Sequence, residues 1–126
     1  MRRAIAIGAM ILCAASMAVA QEWKAPASAK ATRNPVAKEA GIQAGKSLFG
    51  SNCAICHGNT GKGDGPAGAA LNPKPKNLAD KAVQAQADGE FFWKISEGRG
   101  VMPGWKQLPE KDRWSLVHYL RSLAAK

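Results

Sequence analysis

A pair of cysteines three positions apart, followed directly by a histidine, constrains this chain more than any other feature. The stretch reads Cys53-Ala54-Ile55-Cys56-His57. On one turn of helix each thiol can add to a vinyl group of a porphyrin, and the next side chain can bind iron through an imidazole nitrogen. The spacing therefore predicts one covalently attached haem, held by Cys53 and Cys56, with His57 as an axial iron ligand.

Two other chemistries use a Cys-x-x-Cys pair, and the sequence favours neither of them. A structural zinc site needs about four Cys or His ligands. Beyond Cys53, Cys56 and His57, the remaining candidate ligand is His118. A thioredoxin-like disulfide switch needs a βαβ context, and no strand-rich run surrounds the motif. Zinc binding and dithiol exchange therefore stay as alternatives to haem attachment.

The first 20 residues have the composition of an export signal. A basic start, Met1-Arg2-Arg3, precedes an apolar stretch, and Ala18-Val19-Ala20 fits the small-x-small rule for cleavage. We expect cleavage before Gln21 and a periplasmic protein, which agrees with haem attachment outside the bacterial cytoplasm. The apolar stretch is shorter than a membrane-spanning helix prefers, and an uncleaved membrane anchor is the alternative. Cys13 would be discarded with the signal.

The chain is strongly basic, with a formal net charge of +9. Loss of Arg2 and Arg3 with the signal would lower it to about +7. Such a charge suits nucleic acid, an anionic membrane or an acidic protein. The basic residues are scattered and no nucleic-acid-binding motif is present, so we expect no nucleic-acid partner. The expected partners are redox proteins with an acidic docking surface, and a membrane only if the signal segment is retained.

The mature chain is long enough for one small domain. We predict an all-α domain over residues 35–126, with about four short helices packed around the haem. Residues 21–34 have no hydrophobic period, and we interpret them as a mobile N-terminal arm. Trp23 is the exception in that arm, and an isolated Trp in such a tail is typical of a loose surface contact.

Two amphipathic helices flank the predicted haem segment. Asn34-Pro35 fits an N-cap followed by proline at the first helical position, and the helix then runs toward Cys53. Gly45 within it is unfavourable by about 1 kcal/mol relative to Ala, which indicates the close approach of a second helix. The last helix begins at Leu108-Pro109, and its apolar side chains share one face: Leu116, Tyr119, Leu120 and Leu123.

His118 lies on the opposite face of that last helix, beside Trp114 and Arg121. We therefore predict a solvated surface histidine, with bis-histidine ligation of the iron as the alternative. The second half of the chain also carries a short aromatic helix that begins around Phe91 and ends near Gly98. Its side chains are expected to line the core that contains the haem.

Two loops after the haem motif are expected to shape its surroundings. Residues 58–68 are rich in glycine but lack the Gly-Lys-Ser/Thr ending of a phosphate-binding loop, so tight turns around the haem edge are predicted. Residues 71–78 form an extended segment, because each residue before Pro73 and Pro75 is pushed out of the helical region. A carbonyl of this segment is well placed to accept the second N–H of His57.

Met102 is the predicted second axial ligand. The other three methionines lie within the signal, so Met102 is the single thioether of the mature chain. A lone methionine usually fills a gap in a core. Here it stands between Gly98 and Gly104 in a Gly/Pro-fixed loop, in a chain that needs a sixth iron ligand. We therefore predict iron ligation by His57 and Met102.

Together these motifs resemble the class I c-type cytochromes, particularly small bacterial single-haem members related to the cytochrome subunits of terminal oxidases. The resemblance covers about residues 35–125. It rests on Gly45, Phe49, Cys53-x-x-Cys56-His57-Gly58, Gly61-x-Gly63-Asp64-Gly65-Pro66, Met102-Pro103, Tyr119 and Leu120. It implies that Gly45 and Phe49 meet Leu116 and Tyr119 where the first and last helices cross. It also implies a cytochrome c fold, with His57 as proximal and Met102 as distal ligand.

The expected function is one-electron transfer in a periplasmic respiratory chain, with no catalysis by the protein itself because both axial positions are filled. Electrons would pass through an exposed haem edge, and the charge favours salt-sensitive encounters with an acidic partner. The basic residues expected near that edge are Lys62, Lys74, Lys76, Lys94, Arg99 and Lys106. Two alternatives are a dedicated subunit of a larger dehydrogenase or oxidase complex and a sensor or peroxidatic haem protein with a labile Met102.

Overall fold

Helices form nearly all the regular structure of the chain. The computed structural model describes residues 22–125, so the predicted signal segment lies outside the described residues. The helices are α1 (Ala27–Ala31), α2 (Lys38–Asn52), α3 (Ala54–His57), α4 (Lys81–Gln84), α5 (Asp88–Glu97) and α6 (Glu110–Ser122). In this part of the chain, β pairing is limited to an isolated bridge between Arg99 and Met102. The all-α class is as predicted, and residues 22–125 contain six helices where about four were expected for the domain.

The crossing of α2 and α6 is the central packing contact of the fold. Gly41, Gly45 and Phe49 form the buried face of α2. A Cβ on Gly45 would overlap the carbonyl oxygen of Ser115 and lie 2.8 Å from Tyr119 Cβ. The rings of Phe49 and Tyr119 pack with their centroids 5.2 Å apart. The predicted close approach is confirmed, although Ser115 rather than Leu116 faces the glycine.

Helix α2 begins later than its capping residues suggest. Asn34 and Pro35 were predicted to start it, whereas the helix begins at Lys38. The side chain of Asn34 is used differently: its Oδ1 accepts from the Val36 N–H at 3.0 Å, and its Nδ2 donates to the Trp114 carbonyl at 2.9 Å. The local turn and the bond to α6 together occupy the side chain that would otherwise cap α2.

Helix α6 is buried on more of its circumference than its apolar stripe indicates. Trp114, predicted to lie on the outer face, is only 2% exposed. Its ring stacks on Phe92 of α5 at a centroid distance of 4.0 Å. His118 is half-buried rather than solvated: its Nε2 lies 2.7 Å from the Val36 carbonyl, and its ring fills the space beside Gly41. The prediction of a solvated His118 is wrong because α2 and the segment before it cover that side of α6.

The core lies between α5, α6 and the second half of α2. Its buried apolar side chains are Phe49, Ala54, Leu78, Phe91, Ile95, Trp114, Leu116, Val117, Tyr119 and Leu120. Arg121 joins α6 to the segment before α5, since it donates to Asp88 Oδ1 at 2.7 Å and to the Gln84 carbonyl at 2.6 Å. Among residues 22–125, no helix is long and apolar enough to cross a membrane.

The segment before α2 contains a helix that its sequence does not predict. Helix α1 has no buried residue of its own, yet it lies directly against α5. Gly89 makes this contact possible, because a Cβ there would overlap the Ala29 carbonyl oxygen and lie 2.8 Å from that of Thr32. The arm thus packs on α5 through close backbone contacts rather than through apolar side chains. For this reason the hydrophobic periodicity of the sequence does not indicate the helix.

Candidate haem-binding site

The Cys-x-x-Cys-His segment forms one helical turn directly after α2. The amide of Cys53 still bonds back to the Phe49 carbonyl of α2 at 2.9 Å, and the amide of His57 bonds to the Cys53 carbonyl at 2.9 Å. Cys53, Cys56 and His57 are all half-buried, whereas Ile55 between the cysteines is 58% exposed. One turn therefore presents the two thiols and the imidazole as a group, as the spacing predicted.

The two cysteines are free thiols with no disulfide between them. Burial raises the pKa of the Cys53 thiol to about 11, and the neighbouring Cys56 adds to the rise. The Cys53 side chain therefore stays neutral at physiological pH. A neutral, partly buried Cys53 thiol does not suit an exposed redox pair, which needs an accessible thiolate.

The glycine-rich loop folds back over the carboxyl end of α3. Its amides donate to three successive carbonyls: Ala67 to Ile55 at 2.9 Å, Gly65 to Cys56 at 3.1 Å, and Gly63 to His57 at 2.8 Å. These bonds satisfy acceptors that the end of a short helix leaves open. The loop turns at Gly58, Gly61 and Gly63, all with positive φ, so the predicted tight turns are present.

The surroundings of His57 favour its neutral form. Burial lowers its pKa, and the backbone of Lys76 opposes that shift more weakly. Neutral imidazole is the form that binds a metal. Its Nδ1 is buried and makes no hydrogen bond to the described residues, so the Lys76 peptide is a neighbour rather than a bonded partner at this geometry. The expected acceptor for this nitrogen does lie in the segment 71–78, as predicted, but the bond itself is not formed.

Met102 lies in a loop between α5 and α6 whose backbone is fixed by its own hydrogen bonds. The amide of Arg99 donates to the Met102 carbonyl at 2.9 Å, and the amide of Met102 donates to the Arg99 carbonyl at 3.0 Å. At the far end, Trp105 donates to the Ile95 carbonyl at 2.9 Å. The chain leaves α5 at Gly98, which has a φ of +67°. A Cβ at this position would lie 2.5 Å from the Met102 carbonyl oxygen, so only glycine leaves room for the loop. The half-buried thioether is therefore presented by a defined loop.

The residues present fit a covalently bound haem better than the alternatives. Within residues 22–125, no three His, Cys, Asp or Glu side chains lie close enough together to hold a metal ion. His118, which zinc binding or bis-histidine ligation would need, has its Nε2 against the Val36 carbonyl. The remaining donors are the two thiols, the neutral His57 imidazole and the Met102 thioether, which is a donor set suited to c-type haem.

Comparison with known proteins identifies the family. Residues 40–120 match the family model described as cytochrome C oxidase, cbb3-type, subunit III. The chain belongs to this family of c-type cytochromes. Members carry covalent haem c, and the Cys53/Cys56 pair of this cytochrome fits the region of the Cys-x-x-Cys-His motif. The predicted cofactor and the resemblance to class I cytochromes related to oxidase subunits are thus confirmed.

Individual relatives differ in how much of their length they share with this cytochrome. It is 36% identical over 82 residues to the cbb3-type oxidase subunit FixP of Bradyrhizobium diazoefficiens, a match that covers 63% of this chain and 26% of FixP. It is 33% identical over 94 residues to cytochrome c6 of Chlorolobion braunii, covering 69% of this chain and 96% of that protein. The chain thus spans about a quarter of FixP and nearly all of cytochrome c6.

A solved structure is also similar. A chain of the reducing HAO-like protein complex of Kuenenia stuttgartiensis superimposes with a TM-score of 0.61 at 28% identity, covering 75% of this cytochrome and 47% of that chain.

Sequence reasoning missed one group of residues near the methionine loop. Trp23, expected to make a loose surface contact, has Lys94 Nζ 5.3 Å and the Arg99 guanidinium 6.0 Å from its ring centroid. Lys94, one of the basic residues expected near the haem edge, is half-buried and donates to Gln86 Oε1. A large aromatic side chain in an otherwise polar tail was the available signal, but its target on α5 and the loop depends on tertiary structure.

Proposed function

We propose that this cytochrome is a periplasmic one-electron carrier whose haem iron is ligated by His57 and Met102. The observation that carries the proposal is the position of Met102. It is the single methionine after residue 20, half-buried in a loop whose backbone it helps to lock. The near-complete match to cytochrome c6, a protein of one cytochrome domain's length, supports a carrier rather than a multidomain catalyst.

Bound haem would supply the change between ferric and ferrous iron. In this proposal Cys53 and Cys56 hold the macrocycle through thioether bonds, and His57 offers its neutral imidazole as proximal ligand. The Met102 thioether favours ferrous iron and raises the reduction potential relative to a second imidazole. If His57 and Met102 both held the iron, no position would stay open for a substrate, and the protein would catalyse no reaction of its own.

The proposed partners are redox proteins with acidic docking surfaces. Lys62, Lys74 and Lys76 are exposed on the two loops that pack around α3. Lys106 is also exposed, but it pairs with Glu97 at 2.7 Å. Unpaired lysines around the attachment segment favour rapid, weak encounters with negatively charged surfaces. Export by a cleavable signal over residues 1–20 belongs to the same proposal, as does the domain boundary at residue 35.

The absorption spectrum of the ferric protein tests the ligation. A methionine–iron bond gives a weak charge-transfer band at long wavelength, which we expect in the wild type and in His118→Ala but not in Met102→Ala. The His118 variant is the matched control, because it removes the other candidate ligand while leaving the thioether. A wild-type spectrum without the band would contradict the proposal. A spectrum altered in His118→Ala would assign the iron to bis-histidine ligation.

A second candidate function is that of a dedicated cytochrome subunit in a larger redox complex. The similarity to FixP, an oxidase subunit, and to a chain of the HAO-like complex favours it. Stable copurification with a large partner at physiological salt would support this function, whereas a carrier would elute alone. Carbon monoxide binding to the ferrous wild type would instead indicate a labile Met102 and a sensing or peroxidatic role.

A further inference from the structure

The N-terminal segment contacts the methionine loop directly, although neither the cytochrome family match nor the haem motif includes it. The family match begins at residue 40, and the segment before it lies along α5 through α1. Four residues before the start of α1, Trp23 is half-buried against basic side chains from two different parts of the structure. The segment is therefore anchored at both ends of its path across α5.

Trp23 bridges α5 and the methionine loop, which are also joined at Gly98 and by the bond from the Trp105 N–H to the Ile95 carbonyl. Lys94 belongs to α5, and its Nζ lies 5.3 Å from the ring centroid. Arg99 belongs to the methionine loop, and its guanidinium lies 6.0 Å from the same centroid. Both distances are within the range in which a cation is attracted to an indole ring. Lys94 is further ordered by its bond to Gln86, so the helix side of this bridge is fixed.

The loop side of the bridge leads directly to the proposed ligand. Arg99 and Met102 exchange two backbone hydrogen bonds, of 2.9 and 3.0 Å, across a tight turn that contains Gly100. Any displacement of Arg99 away from α5 must move Met102 with it or break that pair. The backbones of Arg99 and Met102 are thus linked, and a restraint on Arg99 reaches Met102 through this pair of bonds.

We infer that Trp23 is a positioning residue that holds the methionine loop closed, and so restricts dissociation of Met102 from the haem iron. The inference rests on the proposed Met102 ligation for its consequence at the iron, but the restraint on the loop stands on the contacts alone. Trp23 acts through Lys94 and Arg99.

Hydrogen exchange of the haem-loaded ferrous protein, followed by NMR, tests the restraint. In Trp23→Ala we expect the Arg99 and Met102 amides to exchange about two- to fivefold faster, the factor that corresponds to one lost cation–π contact at a partly exposed site. The amides of α2 serve as the internal reference and should not change, which shows that global stability is retained. Lys24→Ala is the matched control, since Lys24 is the next residue and is paired with exposed Glu22.

Imidazole binding to the ferric protein tests the consequence at the iron. Added imidazole occupies the distal position when Met102 leaves, so its apparent affinity rises in proportion to the population of the open loop. Trp23→Ala should therefore bind imidazole about two- to fivefold more tightly than wild type and Lys24→Ala. Trp23→Phe should recover most of the wild-type behaviour, and Trp23→Leu should not, because leucine keeps apolar bulk without an aromatic face.

The two measurements separate this inference from the proposed function. Unchanged exchange at Arg99 and Met102 in Trp23→Ala would overturn the restraint, whatever ligates the iron. Faster exchange with unchanged imidazole affinity would show a restrained loop that does not govern the iron, and this also overturns the inference as stated. If the wild-type spectrum shows no methionine–iron band, the proposed ligation fails while the exchange data still decide whether Trp23 holds the loop.

Discussion

At the scale of single residues, two glycines of the same helix have opposite roles. Gly45 and Gly50 both lie in α2, but a Cβ on Gly45 would overlap the Ser115 carbonyl, whereas nothing lies within 4 Å of one on Gly50. Alanine is the better helix former at either position by about 1 kcal/mol. The difference in unfolding free energy between Gly→Ala at the two sites therefore reports how closely α2 and α6 approach at Gly45.

We predict opposite effects of alanine at these two positions. Gly45→Ala should lower the free energy of unfolding by about 1–3 kcal/mol, because the Ser115 backbone cannot move aside without separating the helices. Gly50→Ala should raise it by about 0.5–1 kcal/mol. Urea unfolding of the haem-loaded variants, followed by helical circular dichroism, measures both. Equal gains at the two positions would mean that the crossing is looser than described.

The close contact at Gly45 could be predicted from the sequence, whereas the burial of His118 and Trp114 could not. Gly45 was recognisable because a glycine inside an amphipathic helix is unfavourable unless another backbone comes close. His118 and Trp114 were misplaced because periodicity identifies the most apolar face of a helix but not whether a second face is also covered. In this fold, residues 34–37 and Gly41 cover that second face. The order of apolar and polar residues within α6 cannot predict this cover, because the covering residues come from a distant part of the chain.

At the scale of elements, Arg121 fastens α6 to the segment that connects α4 and α5. Its guanidinium donates to Asp88, to the Gln84 carbonyl and to the Gln86 carbonyl, and it lies 4.7 Å from the Phe91 ring centroid. The Arg121 and Asp88 side chains are 26% and 33% exposed. The Lys106–Glu97 pair is more open, at 65% and 37%. Solvent screening is therefore stronger for the second pair.

We expect Arg121→Ala to lower the free energy of unfolding by about 1.5–3 kcal/mol, because two backbone carbonyls lose their donor together with the ion pair. Lys106→Ala should lower it by about 0–1 kcal/mol. Arg121→Lys should fall between them, since an ammonium reaches Asp88 but cannot fork across both carbonyls. Thermal unfolding of the three variants in one buffer gives the order. Equal losses for Arg121→Ala and Lys106→Ala would refute the role given to Arg121.

Short elements were the hardest to predict from sequence. Helices α1 and α4 have five and four residues, too few to show a hydrophobic period. Helix α3, equally short, was predictable because its chemistry dictates the spacing of two thiols and an imidazole. The methionine loop was predictable for the same reason. Its contact with Trp23 was not, because the two partners are more than 70 positions apart in sequence and share no motif.

At the scale of the whole molecule, the excess of positive charge should govern encounters. With +9 overall, attraction to anions is long-ranged at low salt and is screened within about 10 Å at 0.1 M. Net charge alone does not specify a docking site, however. The lysines on the loops around α3 form a specific docking site only if their positions affect the encounter more than their number does.

We predict that oxidation of the ferrous protein by the anion hexacyanoferrate(III) slows by about tenfold between roughly 0.01 and 0.2 M ionic strength. Stopped-flow absorbance gives the rate constants. Lys74→Glu should reduce the low-salt rate more than Lys38→Glu, a matched charge reversal at the exposed start of α2. Equal reductions would show that these lysines contribute only to net charge, and the docking role assigned to them would be lost.

The bonds from Asn34 to Trp114 and from Val36 to His118 join positions 80 and 82 residues apart. A ribosome delivers the α2 end of this join well before the α6 end. Until α6 arrives, Gly41, Gly45 and Phe49 have no partner surface, and everything between the two helices remains an open chain. Cys53, Cys56 and His57 lie inside that span. Packing of α6 on α2 is therefore the step that brings this segment into its final environment.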